Sequence, residues 1–150
     1  MQTAAYSPNG QHITSGSGDA TIQIWDAQTG VVIGIPLMGH TGWVNSITYS
    51  PNGYIILGSG DNTIQIWDAK TGAMAGDPLE GHTGPVMSVA SSPNLQHIAS
   101  GSVDKTLQIW DAMTSAVIGR SLEGHRDWVW SVAYLLNGQH IISRSGDMTI

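Results

Sequence analysis

The sequence predicts an all-β fold made from one repeated unit, a row of four-stranded antiparallel sheets of about 43 residues each. Three observations carry this. Gly-His recurs at Gly39-His40, Gly81-His82 and Gly124-His125, in steps of 42 and 43 residues. Trp-Asp recurs in phase at Trp25-Asp26, Trp67-Asp68 and Trp110-Asp111. The heptad Thr21 to Ala27 (TIQIWDA) returns verbatim at Thr63 to Ala69 and with one change at Thr106 to Ala112. Composition agrees: the 150 residues hold 19 Gly and 6 Pro, the turn-rich balance of a β protein, with 41% hydrophobic content that argues against disorder.

The chain reads as a single domain, 1–150, divided into units 1–43, 44–85, 86–128 and 129–150. In the second unit, Val44 to Tyr49 is the opening strand and Pro51-Asn52-Gly53 turns the chain. Tyr54 to Ser59 follows, then the turn Gly60-Asp61-Asn62, then Thr63 to Trp67, where Ile64 and Ile66 alternate with Gln65 at the period a strand requires. A weaker fourth run lies near Ala73 to Ala75, after Lys70-Thr71-Gly72. Proline presets φ and glycine accepts positive φ, so each junction has a local cause. The first turn recurs as Ser7-Pro8-Asn9-Gly10, Ser92-Pro93-Asn94-Leu95 and Leu135-Leu136-Asn137-Gly138. No segment sustains a period of 3.6. One such sheet cannot bury both faces, so the units must stack.

Gly-His, then 26 or 27 residues, then Trp-Asp, with Ser-Gly-Ser-x-Asp between, resembles the WD-repeat β-propeller family over essentially the whole chain. The resemblance implies a ring of four-stranded blades, here incomplete, that serves as a binding platform without catalysis. It also implies a buried tetrad of His, Ser/Thr, Asp and Trp in each blade. The third unit has all four, His82, Ser100, Asp104 and Trp110. The second has His40, Asp61 and Trp67, but Leu57 where a hydroxyl belongs. The first has Ser15, Asp19 and Trp25, and the fourth has His125, Ser143 and Asp147. The expectation at Leu57 is a locally weaker blade, or a water or backbone group in place of the hydroxyl, so that Leu57→Ser would raise stability. Met1 aligns with Val44, and Ile150 with Ile64 in mid-strand. Three and a half blades do not close a ring, and the expectation is that missing blades or self-association complete it.

Several chemistries are disfavoured. Five Lys and Arg against eleven Asp and Glu give a charge of −6, which repels nucleic-acid backbones and anionic membranes. No cysteine is present for thiolate chemistry or Cys-ligated zinc, and no apolar run is long enough to cross a membrane. The N-terminus lacks the basic and apolar regions of a signal peptide, so the expected compartment is the cytoplasm, with the nucleus open to it. His40, His82 and His125 fall one per unit and read as structural. His12, His97 and His140 share one position after a turn and read as surface residues. Gly16-Ser17-Gly18 and Gly58-Ser59-Gly60 lack the Lys-Ser/Thr and helix of a phosphate loop. No cofactor, metal site or catalytic residue is expected.

Repetition preserves scaffold, and binding faces diverge. Trp43, Pro85 and Trp128 differ at one position beside the Gly-His pair, and Trp130 stands where the other units have Asn45 and Met87. In the resembled family this loop faces partners. Trp43, Trp128, Trp130 and Arg126 are therefore the candidate contacts for a protein or peptide ligand, with blade-to-blade packing as the alternative role for the tryptophans. Arg144 occupies the place of Gly16, Gly58 and Gly101, and no arginine cluster is present for phosphopeptide capture. The expected function is an interaction scaffold within a larger or oligomeric propeller. The near-verbatim repeats resemble arrays attached to signalling and innate-recognition ATPases. A glycan-binding propeller is the alternative from another class, and an engineered or shortened chain with no free-standing role is a third possibility.

Overall fold

The structure is a computed structural model that describes residues 3–150, so the alignment of Met1 with Val44 lies outside the described residues. Twelve strands and no helix are found among them. The first unit holds β1 (Thr3–Tyr6), β2 (His12–Gly16), β3 (Thr21–Asp26) and β4 (Val32–Met38), hydrogen-bonded in that order. The second holds β5 (Val44–Tyr49), β6 (Tyr54–Ser59) and β7 (Ile64–Asp68), and the third holds β8 (Val86–Ser91), β9 (His97–Ser102) and β10 (Leu107–Asp111). The fourth contributes β11 (Val129–Tyr134) and β12 (Ile141–Ser145). All neighbouring strands are antiparallel.

Only the first unit forms its fourth strand. The run near Ala73 to Ala75 is not a strand but two isolated bridges, Trp67 to Met74 and Ile64 to Leu79, and the third unit repeats the pattern with Trp110 to Val117 and Leu107 to Leu122. In the first unit Val31, Val32, Ile33 and Ile35 supply β-branched side chains along the ladder. In the second the corresponding run is Ala73-Met74-Ala75, with Asp77 in the place of Ile35, so fewer β-branched side chains support the ladder, while Gly76 and Pro78 have counterparts in Gly34 and Pro36 within β4.

The core lies between sheets rather than within any one of them. One buried cluster joins Ile56, Ile64 and Ile66 of the second unit to Val86, Val89 and Ile98 of the third. Another joins Ile22 of the first unit to Val44, Ile47 and Leu57 of the second. Every junction is keyed in the same way. The opening valine of one sheet sits against a glycine on the second strand of the sheet before it. A Cβ added at Gly16 would lie 2.6 Å from Val44 Cγ1, one at Gly58 2.7 Å from Val86 Cγ1, and one at Gly101 2.5 Å from Val129 Cγ1. These separations are below van der Waals contact, so only glycine lets the sheets close to this distance. Hydrogen bonds also cross the junctions: the Val44 N–H donates to the Ser17 carbonyl at 3.2 Å, the Val89 N–H to Ser46 Oγ and the Val132 N–H to Ser88 Oγ, both at 3.1 Å. In the fourth unit Arg144 takes the glycine position and is exposed.

The turn after the second strand is also fixed by repetition. Ala20, Asn62, Lys105 and Met148 hold one equivalent position, with φ between 66° and 73°. The preceding aspartate stabilises this left-handed residue by accepting the N–H and the hydroxyl of the threonine after it, as Asp104 Oδ1 does from Thr106 at 3.0 and 2.7 Å.

Gly58→Ala should lower the unfolding free energy by about 1–3 kcal/mol, the usual range for overpacking a close junction. Gly60→Ala should be near neutral, because an added Cβ there meets nothing nearer than the Trp43 nitrogen at 3.5 Å. Urea unfolding of the two variants measures the difference, and equal midpoints would remove the glycine key.

Candidate interaction surface

In the third blade the four polar groups form one continuous chain. Trp110 Nε1–H donates to Ser100 Oγ at 2.9 Å, Ser100 Oγ lies 2.7 Å from His82 Nε2, and His82 Nδ1 lies 2.7 Å from Asp104 Oδ2. A neutral imidazole protonated on Nδ1 satisfies every member: the serine hydroxyl donates to Nε2, and Nδ1–H donates to the carboxylate. Burial pushes the His82 ring below its ordinary pKa, and the Asp104 carboxylate only partly offsets this. The strands provide the alignment, since Gln108 and Ser100 are register partners and Trp110 follows two residues on, on the same face.

The other blades show what happens when a member is missing. In the second, His40 Nδ1 lies 2.9 Å from Asp61 Oδ2, but His40 Nε2 is buried with no partner because Leu57 has no hydroxyl. The indole finds a side-chain acceptor. Trp67 Nε1–H instead donates to Gln65 Oε1 at 3.2 Å, a side chain two residues away in the same strand. The Leu57 carbonyl pulls weakly toward the charged form of His40, yet burial dominates and lowers its pKa. In the first blade Trp25 Nε1–H donates to Ser15 Oγ at 2.8 Å, while Asp19 Oδ1 caps Thr21. In the fourth, His125 Nε2 lies 2.8 Å from Ser143 Oγ and His125 Nδ1 lies 3.2 Å from Asp147 Oδ2.

The aspartates also reach the loops that carry the divergent residues. Asp61 Oδ2 accepts the Thr41 N–H at 2.9 Å, Asp104 Oδ2 the Thr83 N–H at 3.0 Å, and Asp147 Oδ2 the Arg126 N–H at 2.7 Å. Each anchored residue directly follows the tetrad histidine and lies two residues before Trp43, Pro85 or Trp128. A second clasp closes each loop: the carbonyls of Trp43, Pro85 and Trp128 accept N–H groups from Gly60, Val103 and Gly146 at 2.8–2.9 Å. Burial raises the Asp61 pKa, but the Thr63 hydroxyl, the Thr41 N–H and His40 outweigh it and hold the group at about 2. Asp147 is lowered as well, chiefly by the Thr149 hydroxyl and the Arg126 N–H.

On this clamped frame Trp43 is 62% exposed, Trp128 42% and Trp130 40%. The Trp128 and Trp130 rings pack with centroids 5.3 Å apart at 56°, close to an edge-to-face pair. Arg126 and Asp127 are exposed beside them. The side chains that open each junction are Val44, Val86 and Val129, and Asn45, the counterpart of Trp130, donates across a junction to the Val86 carbonyl at 3.1 Å. His12 and His97 begin β2 and β9, half-buried, and His140 is exposed just before β12. Among the described residues no three His, Asp or Glu side chains converge as a metal ion would need.

The family profile described as "WD domain, G-beta repeat" matches the chain four times, at residues 2–26, 31–68, 77–111 and 117–150. The chain belongs to the WD40 repeat family. Among curated proteins it is similar to Nuclear distribution protein PAC1 of Mycosarcoma maydis, 43% identical over 54 residues, covering 36% of this chain and 12% of that protein. It is 44% identical over 45 residues to Lissencephaly-1 homolog of Branchiostoma floridae, covering 30% and 11%, and 43% identical over 49 residues to Ribosome assembly protein 4 of Chaetomium thermophilum, covering 32% and 9%. The matched segment spans only about a tenth of each relative.

Two parts of this WD40 network escape the motif pattern. Thr63, Thr106 and Thr149 bind the tetrad aspartates through their hydroxyls at 2.6–2.7 Å. Their signal was present in the repeated turn-Thr step. Gln65, which replaces the missing hydroxyl for Trp67, gives no signal, because Gln23 and Gln108 stand at the same place in the other blades.

The structure reverses the sign expected for Leu57→Ser. Leu57 is wholly buried in the junction cluster and Trp67 already has a partner, so the serine would rescue only His40 Nε2. Removing a buried leucine side chain costs about 2–5 kcal/mol, against about 1–3 kcal/mol for one rescued polar group. The variant should unfold at lower urea than the parent, and a raised midpoint would show that the unpaired imidazole dominates.

Stability should also fall with acid in two stages. His40 and His82 have folded pKa values below the ordinary 6.5, so the unfolded chain takes up protons first and stability is lost as pH drops through that value. Asp61, at about 2 against 3.8, adds a second loss below 3.8. Thermal midpoints measured from about pH 7 to pH 5 should decline steadily, and a flat profile would mean that the two rings titrate freely in the fold.

Proposed function

We propose that the chain is a non-catalytic platform for a protein or peptide partner, contacted through Trp43, Trp128, Trp130 and Arg126. One observation carries the reading: Trp43 and Trp128 stand exposed on loops whose backbones are fastened from behind by the tetrad aspartates, with Trp130 of β11 packed beside Trp128. Rigid aromatics lose little freedom on binding and are favoured as interface anchors. A catalytic role finds no support in the His and Asp side chains of the tetrads, which recur in each blade and are engaged in hydrogen bonds with their own scaffold. The acidic balance of −6 favours partners with basic or apolar contact residues. WD40 repeats generally mediate protein–protein contacts, and this chain supplies part of a ring that further blades or a second copy would extend. The near-verbatim repeats fit arrays that vary only at recognition positions, as a signalling or innate-recognition receptor would use.

Trp43→Ala and Trp128→Ala should each weaken partner capture about tenfold or more while leaving the urea midpoint within about 0.5 kcal/mol, the usual range for surface changes. Immobilised peptide libraries and glycan arrays, probed with the parent and both variants, provide the measurement. Tryptophan-dependent binding to glycans in place of peptides would replace this reading with a lectin-like one, and unfolding of the variants would return the tryptophans to a packing role.

A further inference from the structure

The three blade junctions are keyed alike by valine and glycine, but one of them is not filled alike. The last residue of each opening strand points at the preceding blade, and this position reads Tyr49, Ser91 and Tyr134 in the second, third and fourth blades. Tyr49 crosses the first junction and its hydroxyl meets Thr14 Oγ1 at 2.5 Å, deep enough that Thr14 is fully buried. Tyr134 crosses the third junction and packs with Ala99, where its hydroxyl is buried without a partner because Ala99 stands in the place of Thr14. Ser91 at the second junction is too short to cross. The space a tyrosine would take is left open above Ile56, the equivalent of Thr14 and Ala99.

A cleft of about 630 Å³ occupies that junction, with Ser91, Ile56 and Ile98 at its inner end and Ile66, Leu95 and Met113 toward its mouth. The first junction has only the outer part of such a cleft, about 550 Å³ bounded by Ile24, Ile33 and Trp67. No residue of β2 or β5 lines it, since Tyr49 fills the inner end. The two neighbouring junctions thus act as moulds for what the second one lacks: a single six-membered aromatic ring entering from the side of the following blade. The walls are mainly aliphatic, and the Tyr54 hydroxyl at the cleft makes no hydrogen bond among the described residues, which leaves it free for a ligand's polar atom. Clefts with mainly apolar walls and a few polar groups are the usual sites for small ligands. The cleft opens among the turns near Asn52 and Met113, at the end of the strands opposite the Gly-His loops that carry Trp43 and Trp128.

We propose that the cleft between the second and third blades binds one aromatic ring of tyrosine size, a second site separate from the tryptophan face. The ring's source is either a free phenolic molecule or the side chain of a tyrosine in a bound segment, and the two share the same inner contacts. The site deepens the reading of the chain as a binding platform, but its test does not involve the tryptophans, so either can fail without the other.

The probe is p-cresol, the tyrosine side chain itself, followed by amide chemical shifts of the full chain. Shifts confined to residues around Ile56, Ser91 and Ile98 are expected, and Ser91→Tyr should fill the site from within and weaken p-cresol binding at least tenfold. Ile56→Thr restores the hydroxyl that Thr14 offers Tyr49, and should increase the preference for p-cresol over toluene. This second variant keeps the proposal testable if Ser91→Tyr does not fold. N-acetyltyrosine methylamide separates the sources: binding as tight as that of p-cresol assigns the site to a peptide side chain, and exclusion of it while p-cresol binds assigns the site to a free phenol. Absence of p-cresol shifts in the parent, or unchanged p-cresol binding in a folded Ser91→Tyr variant, overturns the proposal.

Discussion

Everything in this molecule depends on a valine of one sheet pressing against the bare backbone of the sheet before it. A four-stranded sheet of short strands has too little apolar surface to stand alone, and here the buried side chains are shared across junctions rather than owned by a blade. The sheets can share them only if they come close enough, and a Cβ at Gly16, Gly58 or Gly101 would lie within 2.7 Å of the facing valine. Burying one valine side chain is worth about 1.5–3 kcal/mol. The glycine adds nothing to that sum directly, but it decides whether the contact exists. Arg144 at the same place shows that the fourth blade offers a different outward surface from the other three, with a charge where they have a socket.

The tetrad is a second layer built on this packing. It serves less as a store of stability than as a way of tying loops to strands. Asp61, Asp104 and Asp147 spend one oxygen on the tight turn that holds Asn62, Lys105 or Met148 in a left-handed conformation, and the other on the N–H beside the tetrad histidine. One carboxylate therefore orients two turns at once. This explains how the second blade tolerates Leu57. The His–Asp–loop part of the network survives intact, and the loss falls on His40 Nε2 alone, since Gln65 Oε1 accepts the hydrogen bond of the indole N–H.

Much of the fold was legible because the same letters return in phase. The opening and second strands of the second unit lie where alternation and turn residues put them, and the tetrad residues come together because register is dictated by turn length. The fourth strand was not legible, because it depends on local competition: β-branched Val32, Ile33 and Ile35 carry the ladder in the first unit, and Met74, Ala75 and Asp77 in their places leave only isolated bridges in the second. Gln65 was hidden for the opposite reason. Being invariant among the repeats, it looks like scaffold, and only the missing hydroxyl of Leu57 gives it a new partner. The exposure of Trp43 and Trp128 could not be read from sequence either, since a divergent aromatic fits a junction or a surface equally well until the valines are seen to fill the junctions.

Divergence among repeats carries two different kinds of information here. At the loop position, Trp43 and Trp128 add bulk where the third unit has Pro85, and the added side chains are exposed. At the end of the opening strand, Ser91 removes bulk that the scaffold does use, and the vacancy faces inward. An addition can accumulate without harm to folding, because it costs the junctions nothing. A deletion at a junction forfeits the contacts that Tyr49 and Tyr134 make, and leaving such a space empty costs stability in proportion to its size. A hollow retained between two otherwise well-keyed blades is therefore a stronger physical signal of an external occupant than an exposed tryptophan is, because the folded chain gains nothing from it when it is empty.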